Sequence, residues 1–162
     1  LFEGIEFPYG KFSEDLFTIY KTILKSRSIT YIGFDGYFYY YRDEGSIVVS
    51  GYKKKHLEAL DAVDDIEESV KGKGRFDNAL STQYINVIYD IAARNPLLSE
   101  FRNKRIQNNL KAHRMSVLKD SNAPKRLRGF AAISLLGNRI VLKVVVARNR
   151  RWKVQRRETK KR

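Results

Sequence analysis

The spacing of apolar residues changes period several times along this chain. Residues 1–12 hold Gly4, Pro8 and Gly10 among aromatics and read as a non-helical arm that lays Phe2, Phe7 and Tyr9 on a core. Leu16, Ile19, Tyr20, Ile23 and Leu24 then recur at helical spacing. Ser13 is a candidate N-cap for them, with Glu14 and Asp15 in the first turn, so a helix over 13–25 is predicted. From residue 28 the period shortens to two. SITYIGF (28–34), Asp35-Gly36 and YFYYYR (37–42) read as a hairpin on a two-residue turn, and SIVVS (46–50) follows Asp43-Glu44-Gly45 as a third strand. By alternation Tyr37, Tyr39 and Tyr41 share one face, and Phe38 and Tyr40 the other. Helical spacing returns with Leu57, Leu60, Val63, Ile66 and Val70, and Gly72 closes it.

KGKGRFDN (71–78) is the best linker. Leu80, Tyr84, Val87, Ile88 and Ile91 predict a helix over 78–93. Asn95-Pro96 then reads as the start of a helix running to about 119, with Leu98, Phe101, Ile106, Leu110 and Val117 inward. FAAISLL (130–136), Gly137-Asn138 and RIVLKVVVA (139–147) read as a second hairpin. WKVQRRE (152–158) is either its third strand or an extended arm, since Trp152, Val154 and Arg156 alternate with Lys153, Gln155 and Arg157. The expected fold is α+β, with two small antiparallel β-meanders at about 28–50 and 130–158 around a helical middle. The expected division is an N-terminal αβββα unit (1–72) and a second part (73–162). That second part holds a helical pair, a basic β-hairpin and an arginine-rich tail; one continuous domain is the alternative.

Gly51 and Lys53-Lys54-Lys55 precede a helical body of Ala59, Leu60, Ala62 and Val63. The order of helix, three strands and helix over 13–70 resembles that of a double-stranded-RNA-binding domain, as an analogy of order. The chain departs from that family between the first two strands. There the family places its minor-groove loop, and this chain has only Asp35-Gly36.

Composition adds a partner to this picture. With 43% hydrophobic and 12% aromatic residues in 162, the chain can bury a core. No apolar run approaches the ~20 residues that span a bilayer, and the chain reads as soluble. The absence of cysteine excludes disulfides and thiolate metal sites. The net charge is +14 and it is unevenly placed. Residues 1–93 hold 11 Lys/Arg against 15 Asp/Glu (−4), and residues 94–162 hold 21 against 3 (+18). Nine of the last fifteen residues, RNRRWKVQRRETKKR, are Lys or Arg. Like charge at this density calls for a polyanion, and nucleic acid rewards each contact by releasing a counterion.

The candidate nucleic-acid-binding residues fall in four groups. Lys53, Lys54 and Lys55 open a helix, where phosphate is welcome. Lys104, Arg105, Asn108, Lys111 and Arg114 lie along one helix, with amides able to reach base edges. Lys125, Arg126 and Arg128 sit in a basic loop over 121–129. Arg148, Arg150, Arg151, Trp152, Lys153, Arg156 and Arg157 form the tail, with Trp152 placed to stack on a base. RNA is favoured over DNA because an arginine-rich tail with aromatics suits irregular or single-stranded targets. A component of a ribonucleoprotein or viral particle fits this composition.

Three rivals accompany that expectation. The first is a metal-independent ribonuclease using His113 beside Lys111 and Arg114. The second is a protein-interaction module whose acidic helix over 58–68 docks a basic partner or the chain's own tail. The third is an anionic-membrane binder, for which only Trp152 and Val154 offer apolar residues beside the basic tail. His56 and His113 lie on different helices without ligand spacing, and neither GxxxxGK nor GxSxG occurs, so no metal and no cofactor is implied. Asp61, Asp64, Asp65 and Glu68 read as a solvated acidic face.

Overall fold

Residues 77–93 carry apolar side chains around much of their circumference. The helix they form therefore has to be covered on several sides. In the computed structural model, which describes residues 1–34, 36–37 and 51–159 and the side chains up to 149, it is the central element. This helix, α3 (Asp77–Ala93), buries Tyr84, Ile85, Val87, Ile88, Ile91 and Ala92. Around it pack α2 (Glu58–Val70), α5 (Lys104–Lys119), α6 (Lys125–Ile133) and α7 (Asn138–Thr159). The short helices α1 (Ile19–Lys25) and α4 (Leu98–Phe101) complete the order. One hydrophobic cluster joins Leu60 and Val63 of α2 to Ile85 and Ile88 of α3, Ile106 and Leu110 of α5, Phe130 of α6 and Val141 of α7. Each such buried side chain contributes about 1.5–3 kcal/mol of apolar transfer free energy.

The α+β expectation is overturned, because among the described residues there is no strand and no sheet. Residues 28–34, 36 and 37 have no regular structure, and the rest of the first meander, with its tyrosine face, lies outside the described residues. The order that resembled a double-stranded-RNA-binding domain thus has no strands in its described part. The second meander is replaced by α6, a 3-10 turn over Ser134–Leu136, and α7. The run of β-branched residues had suggested a strand, but strand propensity spans only ~1 kcal/mol and yields to context. Here the deciding pattern is helical. Leu127, Phe130, Ala131 and Ser134 are buried on one side of 127–134, and Val141, Leu142 and Val145 on one side of α7. Gly137 makes no hairpin turn. At φ 105° it ends the 3-10 turn, and its carbonyl accepts from Val141 N–H at 3.1 Å to open α7.

Two helix starts also move. Ser13 sits at φ 59° and does not cap, so regular helix begins only at Ile19. Asn95 adopts φ 57°, and the long helix starts at Lys104, where Asn103 Oδ1 accepts from Arg105 N–H at 2.9 Å.

The helical register of α7 is testable with two substitutions. Leu142 and Val144 would share a face in a strand, but Leu142 is buried in α7 and Val144 is exposed. Leu142→Ala should cost about 2–5 kcal/mol in denaturant unfolding. Val144→Ala should stay within about 0.5 kcal/mol of the parent. Equal effects would point to a strand.

Candidate nucleic-acid interface

The placement of basic residues begins with the acids of α2. Asp61, Asp64 and Glu67 recur at helical spacing on the side facing α3 and α5. Carboxylates at the edge of a core need donors. Tyr84, buried on α3, supplies one: its hydroxyl donates to Asp64 Oδ1 at 2.7 Å and to Glu67 Oε2 at 2.8 Å. Burial first, then these two carboxylates, push the Tyr84 pKa upward. Arg105 supplies the other, with Nη1 on Asp61 and Nη2 on Asp64. Burial opposes its charge, yet the two carboxylates more than offset this and raise its pKa. Lys11 Nζ approaches Asp61 at 3.9 Å. Arg105 is thus engaged inside the fold. The acidic helix expected to dock a partner is engaged internally over Asp61, Asp64 and Glu67, while Asp65 and Glu68 face solvent.

The other basic candidates divide by element. On α5, Lys104, Asn108, Lys111 and Lys119 form an exposed stripe with Met115. Arg114 is half-buried and its Nη1 donates to Ser134 O at 3.4 Å. The segment read as a basic loop is largely helix α6. Lys125 is exposed in its first turn, and Arg128 is half-buried. Arg126 is exposed, donates to Asn86 Oδ1 at 3.1 Å and lies 5.7 Å from the Tyr89 ring centroid. On α7, Arg139, Lys143 and Arg148 are exposed. Lys104, Lys111, Lys119, Lys125, Arg139, Lys143 and Arg148 make no ion pair among the described residues.

Two groups far apart in sequence meet at the C-terminal end of α3. Tyr52 N–H donates to Arg94 O at 3.1 Å, and Asn149 Nδ2 donates to Ala93 O at 2.9 Å. These bonds satisfy carbonyls that a helix end leaves without partners. They also bring Lys53, next to Tyr52, toward Arg148, next to Asn149. Lys53, Lys54 and Lys55 are all exposed. Their turn is held by His56, whose buried ring accepts the Lys53 N–H on Nδ1 at 2.9 Å. Phe12 meets the His56 ring edge-on at 5.1 Å, and Lys55 Nζ lies 5.0 Å from the centre of the Phe12 ring. Beyond Asn149 the α7 backbone stays helical to Thr159. Arg150, Arg151, Trp152, Lys153, Arg156 and Arg157 thus lie on a helix and not on a strand or extended arm, and their side chains are outside the described ones.

His113 is built into the packing between α3 and α5. Its ring stacks on Tyr84, centroids 4.2 Å apart and planes 8° from parallel, and its Nδ1 lies 3.1 Å from Ser81 Oγ. Burial lowers its pKa, with Glu67 acting in the opposite sense. Lys111 lies on the exposed stripe and Arg114 is bonded to Ser134 O, so neither has a recorded bond to this imidazole. The ring's seat on Tyr84 and Ser81 was not visible in the sequence. The one signal was a serine, Ser81, on an otherwise inward-facing helical arc. Among the described residues, no three His, Asp or Glu side chains are grouped to hold a metal ion, and no helix is long and apolar enough to cross a membrane.

Two measurements probe these contacts. Arg105→Gln leaves Asp61 and Asp64 without their guanidinium and should lower stability by on the order of 1 kcal/mol, the surface value, because the pair is more than a third open to solvent. Lys104→Gln, one residue away, should change it by no more than about 0.5 kcal/mol.

The second concerns pH. His56 and His113 both titrate below the usual value of about 6.5 in the folded chain, through burial. The unfolded chain then takes up protons first as pH falls, so stability is full above about 6.5 and declines below it. Thermal unfolding should show a lower Tm at about pH 5.5 than at about pH 7.5, and a smaller drop in His113→Gln. An equal drop in that variant would remove His113 from the account.

Compared with known proteins, the chain matches no family model, no curated protein and no solved structure.

Proposed function

We propose that this protein binds nucleic acid, with RNA favoured, through the basic residues of α5–α7 together with Lys53–Lys55. The supporting observation is that Lys53, Lys54, Lys55, Lys104, Lys111, Lys125, Arg139, Lys143 and Arg148 are exposed and make no ion pair among the described residues. Tyr52 on Arg94 O and Asn149 on Ala93 O place the backbone next to Lys53 and next to Arg148 at the same end of α3. A phosphate backbone is the partner that rewards such a run of unpaired cations, since each contact releases a counterion. The Asn108 amide on the α5 stripe adds a donor for base edges or riboses. RNA is preferred because basic helical segments suit irregular RNA, and no element among the described residues pairs with a second at the spacing of a duplex-DNA half-site. Such a chain suits a ribonucleoprotein or viral particle, where the polyanion neutralises the self-repulsion of +14.

Gel shifts over a salt series with single-stranded RNA, duplex RNA and duplex DNA test this. Log affinity should fall linearly with log salt, at about 0.7–0.9 per phosphate contact. Changing Lys53, Lys54 and Lys55 to Gln should remove up to three such contacts from the slope. Thermal stability should be equal or slightly raised, because cations leave the positive end of a helix. Deleting 150–162 should lower affinity further. A slope unchanged by both alterations would refute the assignment, and RNA cleavage lost in His113→Ala would establish the ribonuclease instead.

A further inference from the structure

The corner between α6 and α7 carries a feature that nucleic-acid binding does not use. Leu135 and Leu136 stand on the 3-10 turn with 50% and 66% of their surface exposed. Ile140 and Val144, at i+4 spacing on α7, extend the apolar surface on the exposed side of that helix. Cations flank it. Arg139 and Lys143 are exposed on the same helix, and Arg114 reaches the base of the turn through its bond to Ser134 O. From residue 94 to 149 the chain holds only two acids. Glu100 is on α4, bonded to Leu97 N–H, and Asp120 lies past the end of α5, bonded to Asn122 N–H, so neither is on the corner.

We infer that this corner docks onto a bilayer surface rich in anionic phospholipid. Two leucines at a turn, backed by Ile140 and Val144, suit shallow insertion at the boundary between headgroups and acyl chains. Arg139 and Lys143 then place their charges at the level of the lipid phosphates while their methylene stems stay with the apolar side chains. Other partners fit less well. Nucleic acid would neutralise the cations and leave the leucines in water. A second copy would cover the leucines and bring two chains of +14 together. The anionic-membrane rival had only Trp152 and Val154 as apolar residues beside the basic tail. The fold supplies an apolar face at Leu135, Leu136, Ile140 and Val144, away from Trp152 and Val154.

Co-sedimentation of the full chain with phosphatidylserine–phosphatidylcholine vesicles, and with phosphatidylcholine vesicles alone, tests the inference. Binding should require phosphatidylserine. Leu135→Ser/Leu136→Ser should weaken it by about tenfold or more while circular dichroism stays unchanged, because both side chains are exposed. Arg139→Gln/Lys143→Gln should weaken it and flatten its salt dependence. RNA affinity of the leucine variant should equal the parent's, which separates this inference from the nucleic-acid proposal. No binding to phosphatidylserine vesicles, or equal binding by the leucine variant, would overturn it. Loss of RNA affinity in the leucine variant would assign the corner to nucleic acid. Self-association of the free protein that the variant abolishes would assign it to a second copy.

Discussion

The clamp on the acids of α2 decides how the rest of the charge is spent. Asp61, Asp64 and Glu67 flank a core that includes Leu60 and Val63, and each takes a donor from a neighbouring helix although water also reaches them. One guanidinium from α5 and one phenol from α3 are those donors, and in bonding they pin three helices in register. Charged pairs this open to solvent add little stability, on the order of 1 kcal/mol or less each, because water screens the attraction. The functional consequence is subtraction. Arg105 is held by the acids of α2 while part of its side chain stays open to solvent, and few other cations are drawn toward acids. The clamp satisfies α2 with one strong cation, and Lys104, Lys111, Lys119, Lys125, Arg139, Lys143 and Arg148 make no ion pair among the described residues.

A second demand acts at the C-terminal end of α3. The last carbonyls of a helix have no partners within it and carry a partial negative charge. Ala93 O and Arg94 O are met by Asn149 and by the Tyr52 backbone. Each donor arrives with basic neighbours, Arg148 on one side and Lys53 on the other. A need for capping therefore assembles part of the proposed interface. The same economy appears at His56, whose neutral ring closes the turn that displays Lys53, Lys54 and Lys55.

Much of the central packing was legible in the sequence. Leu60, Val63, Tyr84, Ile88, Ile91, Ile106, Leu110 and Val117 recur at helical spacing, and all are buried. Segments 130–136 and 139–147 were misread because two periods coexist there. Strand propensity and a Gly-Asn pair suggest a hairpin, while Phe130, Ala131 and Ser134, then Val141, Leu142 and Val145, trace helical faces. Packing against α3 settles the contest, and a single sequence does not display that packing. The candidate site was legible in its residue types but not in its pairing. The acids that hold Arg105 lie 44 and 41 residues away, and the serine beside His113 lies 32 away. No local spacing encodes contacts of that range. The exposed corner at Leu135 and Leu136 was hidden for the same reason. In a strand those leucines would have alternated in and out, and only the 3-10 turn sets both in solvent.

The two proposed surfaces are compatible on one helix. The apolar corner sits at the N-terminal end of α7, and the anchor to α3 sits at Asn149. Nine steps along α7 separate Arg139 from Arg148, which at 1.5 Å per residue is about 14 Å. That exceeds the ~8 Å over which charges feel each other at physiological salt. Phosphate bound near Arg148 would therefore leave the field around Arg139 little changed, while Lys143, five steps from Arg148 and about 7.5 Å along the axis, lies within reach of both. The helix rises from a corner with exposed apolar residues to an end that is basic and polar.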